Sequence, residues 1–222
     1  MKPLSFARSA TGQACLVEHR CAEADRAELV LLAFRLLRHQ TKNALQRIIA
    51  ECAQTGLRRT AAGAALADDV QRRIILSAQI SDALFGLTAD PATIERRLHS
   101  LVNATVELLS DGTQMISTEI EVIGCCPDPL VPVVLHAAHE MVGNAVLHGM
   151  HVRLLGKVLV SLISVDGAVS LQVRDDGWGP GAATIGEGHA IIASLARQHG
   201  GTVSLARTAE WTLAMMSIPA PA

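Results

Sequence analysis

The hydrophobic period of the chain changes at Asp90-Pro91, and this change constrains the fold more than any other feature. Before it, apolar residues recur every three or four positions over 25–55 and again over 60–88, which predicts two helices. Gly56 marks the joint between them, and Asp90 ends the second because a residue before proline avoids the helical region. Two long helices with a short joint form an antiparallel hairpin that buries only one side of each helix. We therefore expect a homodimer in which two hairpins build a four-helix bundle.

After Pro91 the sequence predicts alternating helices and strands. The helices are expected at about 93–109, 133–148 and 190–198, and the strands at about 115–123, 158–165, 169–174, 202–207 and 211–218. Asp166-Gly167 stands between two β-rich runs, which indicates a tight hairpin. The order β-α-β-β-α-β-β is typical of an α/β sandwich with helices on one face of a mixed sheet. The expected fold is therefore α+β, with an N-terminal segment (1–24), a helical hairpin (25–90) and an α/β-sandwich domain (91–222).

Composition excludes several classes of function. Half of the 222 residues are hydrophobic, yet there are only three Phe, two Trp and no Tyr, so the core must be aliphatic. A net charge of −2 and so few aromatic side chains argue against a nucleic-acid partner. We expect no membrane segment, because no apolar run approaches about 18 residues. Five cysteines without a CxxC pair favour reduced thiols in the cytoplasm.

The first candidate functional residue is His39, in the middle of the first predicted helix. At about 100° per residue, His39 lies roughly 200° from Leu37 and therefore on the polar side of that helix. An exposed neutral imidazole can act as a nucleophile. An ordinary solvated surface histidine is the plainer interpretation of this residue taken alone.

A second group lies on the helix predicted at 133–148. Glu140, Asn144 and His148 are four residues apart, so they are expected to share one helical face. Carboxylate and carboxamide oxygens are suited to Mg²⁺, which usually completes its shell with water and phosphate. A zinc site is an alternative, because His136 and His139 are spaced i, i+3. The metalloprotease pattern HExxH beginning at His139, however, would need a histidine where Gly143 stands.

Two glycine-rich segments follow strands or precede helices in the C-terminal half. Asp175 stands at the end of a predicted strand, where it could accept a hydrogen bond from an exocyclic amino group, with glycines at 177 and 179 that permit close approach of a ligand. Gly186 and Gly188 precede the helix predicted at 190–198, and the amides of such a terminus favour phosphate. A simple turn with a surface carboxylate is the alternative for the first segment, and a lone GxG before a helix is a weak signal.

Together, and in this order, the four segments resemble the catalytic core of a sensor histidine kinase. The histidine segment is similar to the phosphoacceptor box of the HWE and HRxKN-box kinases, and the later segments resemble the N, G1 and G2 boxes of the Bergerat ATP-binding fold. The phosphoacceptor segment reads His39, Gln40, Thr41, Lys42, Asn43, Ala44, Leu45 and Gln46. The resemblance covers about 25–220.

The resemblance implies a role for each candidate residue. His39 would accept the γ-phosphoryl group of ATP, and Asn43 could position a water for phosphatase activity. Around the metal, Asn144 would hold Mg²⁺ and Glu140 would orient or deprotonate a group near it, while His148 would complete the nucleotide site. Asp175 would accept a hydrogen bond from adenine, in a pocket shaped by Gly177 and Gly179. Gly186 and Gly188 would lie beside the phosphates. The hairpin would dimerise and carry the phosphohistidine, and an aspartate in a response-regulator receiver domain would receive the phosphoryl group.

Three departures from the family pattern leave alternatives open. Leu147 replaces a basic residue found in many members, Gln40 replaces an arginine, and the segment expected to cover ATP, 180–185, is very short. A phosphotransfer shuttle with a kinase-like fold and weak or no ATP binding is therefore an alternative to the kinase. An ATP-binding module that sequesters a partner is a third. With only 24 residues before the hairpin, input is expected from a separate sensor chain.

Overall fold

The computed structural model describes residues 50, 60–86, 93–151, 153–178 and 187–220. The helix predicted at 25–55 therefore lies outside the described residues, apart from residue 50. The described residues from 60 onward belong to one compact unit. Its helices are α1 (Ala61–Phe85), α2 (Ile94–Leu109), α3 (Val131–Asn144) and α4 (Glu187–Gln198). Its strands are β1 (Met115–Gly124), β2 (Leu155–Val165), β3 (Ala168–Asp175), β4 (Thr202–Arg207) and β5 (Thr212–Pro219).

The five strands form one mixed sheet in the order β1-β2-β3-β5-β4. The strands β1 and β2 are parallel, and the other neighbours are antiparallel. Asp166 and Gly167 turn β2 into β3 with φ angles of 54° and 73°, the left-handed conformation that a two-residue hairpin requires. The predicted β-hairpin at Asp166-Gly167 and the predicted mixed sheet are thus confirmed.

Helices α2 and α3 cover one face of the sheet with aliphatic side chains. The largest fully buried side chains of this core include Leu98, Leu101, Leu135, Leu162 and Leu171. Alternation along β2 and β3 places every second residue in this core, as the period of a half-buried strand requires. The described part of the protein therefore has the α+β sandwich architecture expected from the sequence, with a core built almost without aromatic rings.

Helix α1 has defined caps at both ends and is attached to α2 by polar contacts. The Thr60 side chain accepts a hydrogen bond from the Gly63 amide (3.1 Å), and Gly86 adopts the left-handed conformation of a C-cap (φ 60°). From α2, the guanidinium of Arg97 donates to the carbonyl oxygens of Ala83 (2.8 Å) and Leu84 (2.9 Å). Arg97 thereby satisfies two carbonyl groups that the end of α1 would leave without partners.

The helix predicted at 133–148 differs from the observed one at its C-terminal end. The α-helix ends at Asn144, and residues Ala145–Gly149 form a π-helical turn. The Met150 amide donates to the Ala145 carbonyl (3.0 Å), five residues earlier. This wider turn ends at Gly149, whose carbonyl oxygen accepts a hydrogen bond from the Trp178 amide (2.9 Å). A contact with a distant loop thus accompanies the irregularity, and hydrophobic periodicity carries no signal for such a contact.

The segment Asp128–Gly149 is long and apolar enough to cross a bilayer by length and composition. Val134, Leu135, Ala137, Ala138 and Val142 of this segment have no solvent exposure. The segment is mostly buried, as is typical of a core helix.

Candidate functional site

Asp175 is a buried carboxylate at the last position of β3. It is 5% exposed, and among the described residues its side chain accepts one hydrogen bond, from the Gly177 amide to Oδ1 (3.0 Å). Burial raises the pKa of this carboxyl group to about 6. A buried carboxylate with unused lone pairs is costly unless a donor from elsewhere pairs with it. The arrangement is therefore suited to binding a ligand N–H group.

Two glycines bring the backbone close to Asp175. A Cβ atom on Gly149 would lie 2.5 Å from Oδ1 of Asp175, and a Cβ atom on Gly177 would collide with the main chain of Gly149. The Trp178 amide then joins this loop to Gly149. Because neither residue carries a side chain, the π turn and the loop after β3 can come into direct contact next to the carboxylate. Gly149 was not among the residues predicted from the sequence, although it directly follows the candidate residue His148.

Thr212 is a second residue that the sequence analysis missed. It is the β5 register partner of Asp175 and is 5% exposed. Its hydroxyl oxygen is buried without a hydrogen-bond partner among the described residues. An unpaired buried hydroxyl is destabilising, so its position beside the Asp175 carboxylate fits a site completed by a polar ligand. No local motif marks it, because the pairing of β3 with β5 alone brings it there.

The second half of the candidate site is the C-terminal part of α3. Asn144 is its last residue, Glu140 lies one turn earlier, and both side chains are half-buried. Neither makes a hydrogen bond or ion pair with another described residue. A Cβ atom on Gly188 would collide with Oε2 of Glu140, so the carboxylate lies against the first turn of α4. The oxygens of both side chains therefore have hydrogen-bonding capacity that the described residues leave unused.

His148 does not share the α-helical register expected for it. It lies in the π turn and its side chain is exposed, and the neighbouring Leu147 is also exposed. The wider turn rotates position 148 away from the face that four-residue spacing in an α-helix would give. The expectation of one regular face for Glu140, Asn144 and His148 thus holds for the first two only.

The two histidines weighed as zinc ligands make separate contacts. His136 Nδ1 lies 2.8 Å from the Pro132 carbonyl oxygen, and its ring meets Phe85 edge-on. His139 Nδ1 lies 3.0 Å from the hydroxyl oxygen of the buried Thr105, and burial lowers the pKa of His139. The described residues contain no group of three or more His, Cys, Asp or Glu residues that could hold a metal ion.

Four of the candidate site residues lie outside the described residues. These are His39, Asn43, Gly179 and Gly186. The segment 180–185, expected to cover the nucleotide, also lies there. The roles inferred for these residues from the sequence remain predictions.

Comparisons with known proteins show similarity to solved structures of histidine kinases. No protein-family model matches the chain, and no curated protein matches it. The histidine kinase domain of the Erythrobacter litoralis EL346 blue-light activated histidine kinase is 19% identical, with a TM-score of 0.51 over 80% of this chain and 95% of that one. A longer structure of the same kinase is 17% identical, with a TM-score of 0.53 over 82% of this chain and 59% of that one. The Acinetobacter baumannii histidine kinase AdeS gives a TM-score of 0.47 at 14% identity, over 81% of this chain and 97% of that one.

At these identities the likeness shows the fold alone. It agrees with the mixed five-stranded sheet and with the helices on one face of it. This chain therefore has the α+β fold of the histidine-kinase catalytic domain.

Proposed function

We propose that this protein is the core of a histidine kinase in two-component signalling, which binds ATP with Mg²⁺ and phosphorylates itself on His39. The observation that carries the proposal is the Asp175 carboxylate, buried beneath a backbone contact between Gly149 and Gly177 and beside the unpaired hydroxyl of Thr212. A carboxylate acceptor and a hydroxyl at the bottom of a site match the exocyclic amino group and ring nitrogens of adenine.

The residues of α3 and α4 in the candidate site, Glu140, Asn144 and Gly188, are suited to a triphosphate and a hard cation. The oxygens of Asn144 and Glu140 have no partner among the described residues, and they belong to the ligand types that Mg²⁺ prefers. Gly188 lies in the first turn of α4, where main-chain amides favour negative charge. A bound Mg²⁺ would neutralise charge developing on the phosphate oxygens. We assign Asn144 to the metal, Glu140 to orientation near it, and Gly188 to the phosphates.

In the proposed reaction a neutral imidazole nitrogen of His39 attacks the γ-phosphorus of ATP. A new N–P bond forms as the bond from phosphorus to the β,γ-bridging oxygen breaks, and ADP leaves. The phosphoryl group then passes to an aspartate of a response-regulator receiver domain. Dimerisation through the hairpin, a cytoplasmic location and phosphatase action through Asn43 belong to the same proposal.

The test of this function is a phosphorylation assay. Incubating the protein with γ-labelled ATP and Mg²⁺ is expected to give acid-labile, base-stable label, the signature of phosphohistidine. His39→Gln should lose the label, and His99→Gln, which alters an exposed histidine on α2, should keep it. Absence of label from a wild-type protein that binds no nucleotide but accepts phosphoryl groups from a receiver would show a shuttle instead. Nucleotide binding without label or transfer would favour the sequestering module.

Asn144→Ala is expected to remove the effect of Mg²⁺ on nucleotide affinity. In the wild-type protein, replacing EDTA by Mg²⁺ should tighten ATP binding about tenfold, which is about 1.4 kcal/mol, since a cation held by Asn144 would offset the negative charge of the phosphates. In the variant that ratio should fall close to one. Calorimetric titrations with and without Mg²⁺ measure it.

Asn103→Ala is the matched control, because Asn103 is an asparagine of α2 whose amide oxygen accepts a hydrogen bond from Thr118 (2.8 Å). It should keep the full Mg²⁺ effect. An unchanged effect in Asn144→Ala would remove Asn144 from the metal site.

A further inference from the structure

Two adjacent aspartates at the end of β3, Asp175 and Asp176, have different environments. The Asp175 side chain accepts one hydrogen bond, from the Gly177 amide, whereas Asp176 forms two hydrogen bonds with Lys157 of β2. The Asp176 amide donates to the Lys157 carbonyl (3.2 Å), and its Oδ1 accepts from the Lys157 amide (2.8 Å). Asp176 therefore continues the contact between β2 and β3 one residue beyond Asp175, the last residue of β3.

Arg153 fixes the same residue from the turn before β2. Its guanidinium donates to the Asp176 carbonyl oxygen through Nη1 and to Oδ2 of Asp176 through Nη2 (3.4 Å). Its Nε donates to the Leu155 carbonyl oxygen (3.2 Å). All three guanidinium nitrogens are thus engaged, and the two charged side chains are each 30% exposed. Planar guanidinium groups are suited to such multiple contacts, which a lysine ammonium cannot reproduce.

These contacts join the two halves of the candidate site. Asn144 leads through the π turn to Gly149, and Arg153 follows four residues later. The Met150 carbonyl between them accepts a hydrogen bond from the Gln114 side chain (2.7 Å), which holds this segment in place. The loop after β3 is attached to it twice, by the Trp178 amide at Gly149 and by Arg153 at Asp176. Arg153 is therefore one of the contacts that join the end of β3 to the segment that follows α3.

We propose that Arg153 is a positioning residue that acts through Asp176 to hold the Asp175–Gly177 loop ready for a nucleotide base. This inference rests on the proposed function for its ligand. Arg153 acts on the loop that faces the base and not on the phosphates. Its loss should therefore weaken the binding of ATP, ADP and AMP by the same factor.

The experiment compares Arg153→Met with Arg174→Met, a control at an exposed arginine of β3 next to Asp175. In Arg153→Met, the Kd values for ATP, ADP and AMP are each expected to rise about tenfold, as for the loss of a charge-assisted hydrogen-bond pair. Arg174→Met should change them less than about twofold. Arg153→Lys should give an intermediate rise. In the unliganded protein, hydrogen exchange at the Gly177 and Trp178 amides should accelerate in Arg153→Met only.

Three results would overturn the proposal. One is unchanged exchange at residues 177 and 178 in Arg153→Met. Another is a loss of affinity for ATP that spares AMP, which would place Arg153 on the phosphates. The third is full rescue by lysine. Failure of the wild-type protein to bind any of the three nucleotides would refute the proposed function alone, since exchange in the unliganded protein still shows whether Arg153 holds the loop.

Discussion

Asp175→Asn is expected to abolish ATP binding and, at neutral pH, to raise the thermal stability of the protein. The carboxylate has one oxygen for the Gly177 amide and another for a ligand donor. The carboxamide has only one oxygen, and its NH₂ group would meet the adenine amino group donor to donor. We expect the Kd for ATP to rise at least about a hundredfold, since an unpaired buried donor adds to the lost hydrogen bond.

Asp175→Asn should increase stability at neutral pH because the wild-type carboxylate is buried. Its pKa of about 6 in the folded protein exceeds the ordinary value of 3.8, so the folded state holds a proton that the unfolded chain releases. The contribution of Asp175 to the free energy of unfolding is therefore most favourable below about pH 4 and is lost as the pH rises from about 4 to about 6. Asparagine removes this loss, which is on the order of 1–3 kcal/mol at pH 7. Thermal melts between pH 4 and pH 8 measure the difference.

Asp166→Asn is the matched control, because it makes the same chemical change at an exposed turn with a left-handed φ that asparagine tolerates. It should alter neither ATP binding nor the pH profile. In the wild-type protein, ATP affinity should itself weaken below about pH 6, as Asp175 takes up a proton. Unimpaired binding by Asp175→Asn would contradict the assignment of this residue to adenine.

Sequence reasoning predicted the elements whose residues are close in the chain. The strands on either side of Asp166-Gly167 and the amphipathic helix α2 follow from periodicity and turn chemistry, which are local properties. Asp175 could be singled out because a strand followed by Asp and glycines is a local pattern. Its burial and raised pKa could not, since they depend on elements that lie far from it in the chain.

The residues that the sequence did not reveal are those fixed by tertiary contacts. Thr212 reaches the site through the register of β5 against β3, and Gly149 through a π turn that interrupts an otherwise regular pattern. In the sequence, Arg153 has the pattern of an ordinary surface arginine before a strand. In the structure, its guanidinium donates a hydrogen bond to the Asp176 carbonyl oxygen. Pattern analysis finds residues that carry chemistry, but it does not find residues that hold them in place, because support comes from whichever element packs nearby.

Gly177→Ala is expected to damage both the fold around the site and nucleotide binding. The added Cβ would overlap the carbonyl oxygen, carbonyl carbon and Cα of Gly149, all main-chain atoms that cannot rotate away. Relief requires separating the loop from the π turn, which would break the hydrogen bond from the Trp178 amide to Gly149. Overpacking together with the loss of this main-chain hydrogen bond should lower the free energy of unfolding by about 2–4 kcal/mol. Denaturant unfolding measures this loss, and calorimetry should show ATP binding weakened at least about a hundredfold.

Gly112→Ala is the control for this prediction, because a Cβ at that position meets no atom within 4 Å. It should leave stability within about 0.5 kcal/mol of the wild-type value. The comparison separates the general effect of removing a glycine from the specific contact of Gly177 with Gly149, since both variants add the same methyl group and restrict the unfolded chain alike. If both variants unfold at the wild-type denaturant concentration, the close backbone contact is absent in solution, and with it the enclosed carboxylate on which adenine recognition depends.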